Sequence, residues 1–177
     1  QWFVKLDPEI RTRALAAMEN VKWIPKEGET RLSSMLKNRP DWCISRQRSW
    51  GTPMALFVHK NSNEILRDEA VNQRILKAIE LHGSDIWYQE DSKVFLGDHY
   101  DPSDYEKITD TLDVWIDSGA TQAFVLKKRN DLTWPADLYL EGSDQHRGWF
   151  QSSLLLSIAN TGVAPYKAVL THGFVLD

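Results

Sequence analysis

Apolar residues recur at helical spacing in the first part of the chain. This stripe predicts a helix over residues 8–20, where Pro8 suits the first turn and Asp7 is a candidate cap. A second helix is predicted over residues 29–37 and ends before a proline, because the residue that precedes a proline disfavours helical geometry. The residues that join the two helices, 21–25, have a short extended pattern.

A third helix is predicted over residues 68–83. Its apolar side chains repeat at every fourth position, as expected for a helix with one buried face. Asp68 or Asn72 is the candidate N-terminal cap, and Gly83 is placed to end the helix.

The segments on either side of this third helix have different patterns. Residues 54–60 predict a strand, and the turn residues 61–63 favour a hairpin with residues 64–67. Residues 84–112 are acidic and rich in turns, but their spacing matches no EF-hand calcium loop. We interpret this acidic tract as a solvated insertion.

The last forty residues have the clearest pattern. Strands are predicted over residues 137–141 and 167–171, and the helix between them is predicted over residues 144–161. Ser143 is the candidate cap of that helix, and Gly162 is placed to end it. A strand, a helix and a strand in this order predict a parallel βαβ unit with a right-handed crossover, and therefore an α/β fold.

Polar side chains follow both strands of this unit. Glu141 and Gly142 end the first strand, Asp144 and Gln145 open the helix, and His172 ends the second strand. Ligands of parallel sheets bind beyond the carboxyl ends of the strands, so these residues predict one binding edge. Carboxylates there suit an amine or the hydroxyls of a ribose, and glycine admits close approach of a ligand.

Position alone leaves a simpler alternative open, in which Asp144 caps the helix and Gln145 faces solvent.

Composition, charge and motifs exclude several kinds of site and several classes of protein. The 177 residues carry a net charge of −4, with an excess of basic residues in 1–50 and of acidic residues afterwards. Cys43 is the single cysteine, which excludes an internal disulfide and a zinc site built from several cysteines. The sequence predicts neither a membrane span nor a secretion signal. It contains neither a glycine-rich dinucleotide loop nor a Walker loop.

Four segments carry a resemblance to a known family: Asp41–Gly51, Leu112–Gly119, Tyr139–Phe150 and Leu170–Asp177. In their order and approximate spacing the sequence resembles the isoleucyl-tRNA synthetases, which are class I enzymes, over essentially its whole length. Valyl and leucyl enzymes share the Ser-Arg-Gln core of the first segment, whereas the Gly-Ser-Asp-Gln-His-Arg-Gly-Trp-Phe run points to the isoleucine enzyme. Apolar runs at both ends, without an initial methionine, predict a piece of a longer protein.

The resemblance implies a fold and a division into domains. The fold is α/β, the second half of a split Rossmann-like catalytic domain that carries a small α+β connective insertion. Residues 1–51 would return from an editing insertion into the catalytic domain. Residues 52–112 would form the connective insertion, and residues 113–177 would form the second half of the catalytic domain.

The resemblance also implies roles for individual residues. Glu141 would bind the amino acid or its adenylate, and Gly142, Asp144 and Gln145 would contact the region of the ribose and the amine. Trp115 and Trp149 would form walls of the isoleucine pocket. Pattern alone favours plain core for Trp115, which lies in an apolar strand, and is equally consistent with core for Trp149, which lies in a helix. His172 and the backbone near Val175 would lie at the adenine and ribose side. Arg46 and Arg48 would either approach the tRNA acceptor end or brace the insertion against the catalytic domain.

The implied activity belongs to a longer enzyme. Such an enzyme joins isoleucine and ATP, with Mg²⁺, to give isoleucyl-adenylate and then charges tRNA(Ile) in the cytoplasm; no zinc is expected in this piece. The family's His-x-Gly-His and Lys-Met-Ser-Lys-Ser signatures are absent from these 177 residues, so no catalytic residue is assigned and the chain alone is predicted inactive. A stand-alone tRNA- or nucleotide-binding module and a structural α+β interaction domain are the alternatives.

Overall fold

The computed structural model describes residues 1–174 and Leu176. In chain order the helices are α1 (Glu9–Met18), α2 (Glu27–Lys37), α3 (Glu69–His82), α4 (Ile86–Gln89), α5 (Ser92–Leu96), α6 (Val114–Gly119) and α7 (Trp149–Thr161). The strands are β1 (Phe3–Val4), β2 (Lys22–Ile24), β3 (Trp42–Cys43), β4 (Ser45–Arg46), β5 (Phe57–His59), β6 (Tyr105–Lys107), β7 (Thr111–Leu112), β8 (Tyr139–Gly142) and β9 (Ala168–His172).

The described residues divide into two compact units. Unit 1 comprises residues 1–44 and 113–177, and unit 2 comprises residues 45–112. The helices and strands together give a mixed α/β protein. No helix in the part of the chain that the structure describes is long and apolar enough to cross a membrane.

Unit 1 is built on a parallel sheet in which β9 lies between β2 and β8. The register places Trp23 beside Val169 and Val169 beside Tyr139, and these three side chains are buried on one face. The parallel pairing of the last two strands, which the sequence predicts, is confirmed. The extended segment at residues 21–25 is also confirmed, but its place beside β9 is not evident from sequence because the two strands are far apart in the chain.

Helix α7 covers the buried face of this sheet. Phe150, Leu154 and Ile158 repeat at every fourth position and are fully buried, as the apolar pattern predicts. Ser153 and Ser157 on the same helix are also fully buried, so α7 is buried on more than one face. Gly162 ends the helix in a left-handed conformation with φ 78°, which glycine adopts without a steric penalty.

Both predicted N-terminal helix caps in unit 1 are wrong. Helix α7 begins at Trp149 with Gly148 at its N-cap position, and Ser143 instead opens a separate 3₁₀ turn, Ser143–His146. Asp7 does not cap α1, because its Oδ1 accepts a hydrogen bond of 2.7 Å from Nε of Arg11. For Asp7, a side-chain partner thus takes the carboxylate that the local pattern assigns to the cap.

Unit 2 packs around an aromatic core. Phe57, Trp87 and Phe95 are buried, and the ring of Trp87 lies 5.1 Å from each of the other two rings. The indole N–H of Trp87 donates to the carbonyl of Ile108 at 2.8 Å. The acidic tract over residues 84–112 is therefore not merely a solvated insertion, since it supplies much of this core.

The predicted hairpin of unit 2 forms as a short contact, and β5 has a longer ladder with another strand. Strand β5 pairs antiparallel with β6, which lies well beyond helix α3 in the chain. An antiparallel bridge between Val58 and Ile65 joins β5 to residues 64–67, as predicted. The N–H of Leu66 donates to the carbonyl of Phe57 at 2.9 Å, and the N–H of His59 donates to the carbonyl of Glu64 at 2.9 Å. The turn residues 61–63 reverse the chain as expected, but the longer ladder forms with the more distant strand.

The predicted helix over residues 68–83 is confirmed as α3, with Asp68 as its cap and Gly83 at its end. Oδ1 of Asp68 accepts from the N–H of Val71 at 2.9 Å, and Oδ2 accepts from the hydroxyl of Tyr100 at 2.8 Å. These two hydrogen bonds lower the pKa of the Asp68 carboxyl, because they stabilise its charged form.

Acid is expected to weaken the start of α3. The lowered pKa means that Asp68 stabilises the folded state above about pH 4 and that this contribution is lost as the pH falls through the folded pKa. Hydrogen-exchange protection of the Val71 amide should therefore fall as the pH is lowered below about pH 4. Asp68→Asn keeps a capping oxygen that does not titrate, so its protection should change much less. An equal loss in both proteins would contradict the assignment.

Candidate functional site

The carboxyl ends of β8 and β9 lie side by side in unit 1. Glu141 pairs in register with Thr171, and Gly142 pairs with His172. A Cβ on Gly142 would lie 2.7 Å from Oδ1 of Asp144 and 3.7 Å from Cε1 of His172, so glycine lets the Asp144 carboxylate fold against the backbone. The structure thus places Asp144 and His172 beside Gly142, with Glu141 as the preceding residue of β8, and we call these four residues the carboxyl edge.

Gln145 links the carboxyl edge to helix α7. Its Nε2 donates to Oδ2 of Asp144 at 2.9 Å, and its Oε1 accepts from the backbone N–H of Trp149 at 3.0 Å. Gln145 is half-buried. Its amide oxygen accepts a hydrogen bond from the first backbone N–H of α7, which has no acceptor within the helix. The alternative in which Asp144 caps the helix and Gln145 faces solvent is therefore wrong.

Trp149 forms a fixed, half-buried surface beside this turn. Its ring stacks on Tyr139 with the centroids 4.0 Å apart and an angle of 7° between the planes. Its indole N–H donates to the carbonyl of Ser118 at 2.9 Å, which attaches α7 to the end of α6. Stacking and this hydrogen bond hold the indole in one orientation.

Trp115 approaches the same place from α6. It lies in a helix and not in the apolar strand that the sequence favours, because Asp113 caps that helix through the N–H of Trp115. The side chain is 40% exposed. A Cβ on Gly148 would lie 2.8 Å from Cη2 of Trp115 and 2.5 Å from Oε1 of Gln145, so the absence of a side chain at Gly148 lets Trp115 come this close.

His172 is exposed at the end of β9, and its Nδ1–H donates to the carbonyl of Gly173 at 2.6 Å. Around Gly173 the space is open, with nothing within 4 Å of a Cβ placed there. Val175 lies outside the described residues. Of the two residues assigned to the adenine side, only His172 can therefore be located in the structure.

Arg46 and Arg48 belong to unit 2. Arg46 lies in β4, which pairs with β7, and its Nη1 donates to the carbonyl of Ser45 at 2.9 Å. Arg48 is exposed, as is Trp50, whose side chain is 88% accessible. Arg48 and Trp50 therefore present a cation and an aromatic surface to solvent.

The chemistry of the carboxyl edge is that of two exposed carboxylates beside an imidazole and an aromatic wall. The carboxylates of Glu141 and Asp144 accept hydrogen bonds from an ammonium group or from vicinal hydroxyls. Trp115 and Trp149 add apolar surface for an aliphatic side chain. Among residues 1–174 and 176, no three His, Cys, Asp or Glu side chains come together as a metal-binding group.

Sequence reasoning gives three further residues no part in this site. Tyr139 supports the Trp149 ring, Ser118 anchors its indole, and His146 lies buried beneath the turn that carries Asp144 and Gln145. Tyr139 and Ser118 act through contacts between elements, so periodicity does not reveal them, whereas His146 contacts Ser143 and Phe150 close by in the chain.

Comparison with known proteins adds independent information. The family model for class I tRNA synthetases (I, L, M and V) matches residues 1–177. The isoleucine–tRNA ligase of Pelagibacter ubique is 53% identical over 178 residues, which cover all of this chain and 20% of that protein. The isoleucine–tRNA ligase of Gluconobacter oxydans is 55% identical over 179 residues, covering all of this chain and 18% of that protein. The chain thus spans about a fifth of the length of these curated relatives.

Among solved structures, a leucyl enzyme is similar. Its title reads "Crystal structure of the ternary complex of Agrobacterium radiobacter K84 agnB2 LeuRS-tRNA-LeuAMS". The likeness covers 78% of this chain and 20% of that one, with 16% sequence identity and a TM-score of 0.46.

Proposed function

The chain belongs to the class I tRNA synthetases of the I, L, M and V group, and from this premise we propose that it forms part of an isoleucine–tRNA ligase. In this proposal residues 113–177 are the second half of a split Rossmann-like catalytic domain, with 1–51 leading into it and 52–112 as a connective insertion. The compactness of residues 45–112 supports a separate insertion. The identity of 53% and 55% to two isoleucine–tRNA ligases supports isoleucine as the amino acid.

The proposed reaction is the activation of isoleucine by ATP to isoleucyl-adenylate, followed by transfer of the acyl group to tRNA(Ile). Mg²⁺ enters with ATP as part of the substrate. The observation that carries the proposal is the register of Gly142 with His172, which assembles the carboxyl edge beyond two parallel strands. Ligands of parallel α/β sheets bind at such an edge.

Each residue has a task in this proposal. Glu141 and Asp144 accept hydrogen bonds from the ammonium group of isoleucine and the ribose hydroxyls, while Gly142 leaves room for them. Gln145 holds Asp144 in place, and His172 borders the nucleoside.

The two tryptophans would define the apolar end of the site. Trp149 is held in one orientation by Tyr139 and Ser118, so it suits the wall of a pocket that must measure an aliphatic side chain. Trp115 lies beside Gly148 and forms the adjacent wall. A rigid apolar wall binds isoleucine by contact area, without any hydrogen bond to its side chain.

Removal of either carboxylate is expected to weaken the binding of an isoleucyl-adenylate analogue. Glu141→Ala and Asp144→Ala should each raise the dissociation constant by about tenfold or more, because a charge-assisted hydrogen bond is lost. Isothermal titration calorimetry with the non-hydrolysable sulfamoyl analogue measures this directly.

A matched control is available at the other end of the same strand. Asp137 is an exposed carboxylate at the opposite end of β8, where it pairs with Lys167 at 2.7 Å. Asp137→Ala should leave binding unchanged. Equal weakening in all three variants, or unchanged binding in Glu141→Ala and Asp144→Ala, would count against the carboxyl edge as the binding site.

A further inference from the structure

His146 lies beneath the turn that carries Asp144 and Gln145. Its side chain is only 2% exposed, and its ring packs edge-on against Phe150 with centroids 5.4 Å apart. Nδ1 lies 2.8 Å from the carbonyl oxygen of Ser143. Because a carbonyl oxygen only accepts, Nδ1 carries the proton and donates it to this contact.

The other ring nitrogen is buried without a hydrogen bond. Nε2 of His146 has no partner among the residues that the structure describes. Helix α2 closes over it at Gly28, where a Cβ would lie 3.0 Å from Nε2 and 3.3 Å from the Trp23 ring. A buried, unpartnered nitrogen destabilises a fold, so packing alone would be served at least as well by phenylalanine.

The charge state of the ring agrees with this geometry. Burial lowers the pKa of His146, and the positive charge of Arg31 on α2 acts in the same direction, while the bond to the Ser143 carbonyl opposes them. The ring is therefore neutral at pH 7, with one donor, and that donor is directed at the first residue of the turn.

We propose that His146 is a positioning residue, whose Nδ1–H fixes the Ser143 carbonyl so that the Ser143–His146 turn presents Asp144 and Gln145 to the substrate. The inference rests on the proposed function of the carboxyl edge and deepens it. His146 touches neither substrate nor reacting atoms in this scheme. His146 orients the turn. Within that turn the side chains of Asp144 and Gln145 are hydrogen-bonded to each other.

Two substitutions separate positioning from packing. His146→Phe keeps the ring and its contact with Phe150 but removes the donor, and it also removes the unpartnered nitrogen. His146→Asn places an amide N–H close to the position of Nδ1 but loses the ring. A purely structural role predicts that phenylalanine is harmless and asparagine harmful to every property of the site.

The positioning role predicts opposite effects on stability and on binding. His146→Phe should unfold in urea at a midpoint no lower than that of the unmodified chain, yet bind the isoleucyl-adenylate sulfamoyl analogue about tenfold more weakly. His146→Asn should unfold earlier and bind within about threefold of the unmodified chain. Binding by His146→Phe within about twofold of the unmodified chain would overturn the proposal.

A second readout does not depend on binding. Exchange of the Gln145 side-chain amide and the Trp149 backbone amide, measured by NMR, should be faster by about tenfold in His146→Phe and nearly unchanged in His146→Asn. If the unmodified chain binds no analogue, the proposed function fails for the isolated chain, and this exchange measurement alone decides the positioning role. Equal exchange in the two variants would overturn it.

Should His146→Phe fail to fold, His146→Ala takes its place beside His146→Asn. Recovery by asparagine of the binding that alanine loses supports positioning, and equal binding by both overturns it. A proton on Nε2 in place of Nδ1, read from nitrogen–proton correlations of the imidazole in the unmodified chain, would also overturn it.

Discussion

Gly119→Ala is expected to lower the free energy of unfolding of unit 1 by about 3 kcal/mol, near the upper end of the usual cost of overpacking a core. A Cβ on Gly119 would lie 2.9 Å from the carbonyl carbon of Ser152 and 2.9 Å from Cδ1 of Leu156. The side chain of Leu156 can turn away, but the backbone of α7 cannot move without disturbing the buried residues around it. Helix α6 would therefore have to move away from α7.

This displacement would also reach the proposed isoleucine pocket. Helix α6 carries Trp115, and its Ser118 carbonyl accepts the indole N–H of Trp149. If α6 moves outward, that hydrogen bond lengthens and the wall formed by the two tryptophans widens. Loss of analogue binding should therefore accompany the loss of stability.

Denaturation and hydrogen exchange of the α6 and α7 amides would measure the effect, with a fall of roughly 6–12 °C in the melting temperature expected for a chain of this size. Gly173→Ala is the matched control, because nothing lies within 4 Å of a Cβ at that position. The control should be nearly neutral. A stable Gly119→Ala chain, with α7 amides protected as before, would show that the two helices do not pack as described.

The sequence predicted the parts of unit 1 that depend on local patterns. Short apolar runs located β8 and β9, and the apolar stripe of α7 identified residues that lie buried against the sheet. The rule that parallel strands bind ligands beyond their carboxyl ends then assembled the carboxyl edge. That step needed no knowledge of tertiary contacts, because the carboxyl ends of neighbouring parallel strands lie at the same edge of a sheet.

The failed predictions have a common physical cause. The start of α7 was assigned to Ser143 by a capping rule, but Gln145 folds back to bond the N–H of Trp149, and the helix begins five residues later than expected. Strand β5 forms the short hairpin that was expected, but its longer ladder pairs with β6, which no local pattern indicates. Local rules rank partners by distance along the chain, whereas burial ranks them by contact in the folded protein.

The chain by itself is expected to give no ATP–pyrophosphate exchange above background when supplied with isoleucine, ATP and Mg²⁺. Adenylate formation uses no protein nucleophile, so its rate depends on positioning and on neutralising the charge of the phosphates. In the resembling family that neutralisation belongs to the His-x-Gly-His and Lys-Met-Ser-Lys-Ser signatures, and neither occurs in these 177 residues. The carboxyl edge carries acidic groups, which oppose phosphate binding.

Binding and catalysis should therefore separate in this chain. The adenylate analogue should bind, since its sulfamoyl group lacks the charged phosphates, while exchange stays at the level of a sample without protein. The isoleucine–tRNA ligase of Gluconobacter oxydans, assayed in parallel, shows that the assay detects exchange. Exchange by the unmodified chain that disappears in Glu141→Ala would show that the 177 residues suffice for adenylation, because contamination by another enzyme would not respond to a substitution at the carboxyl edge.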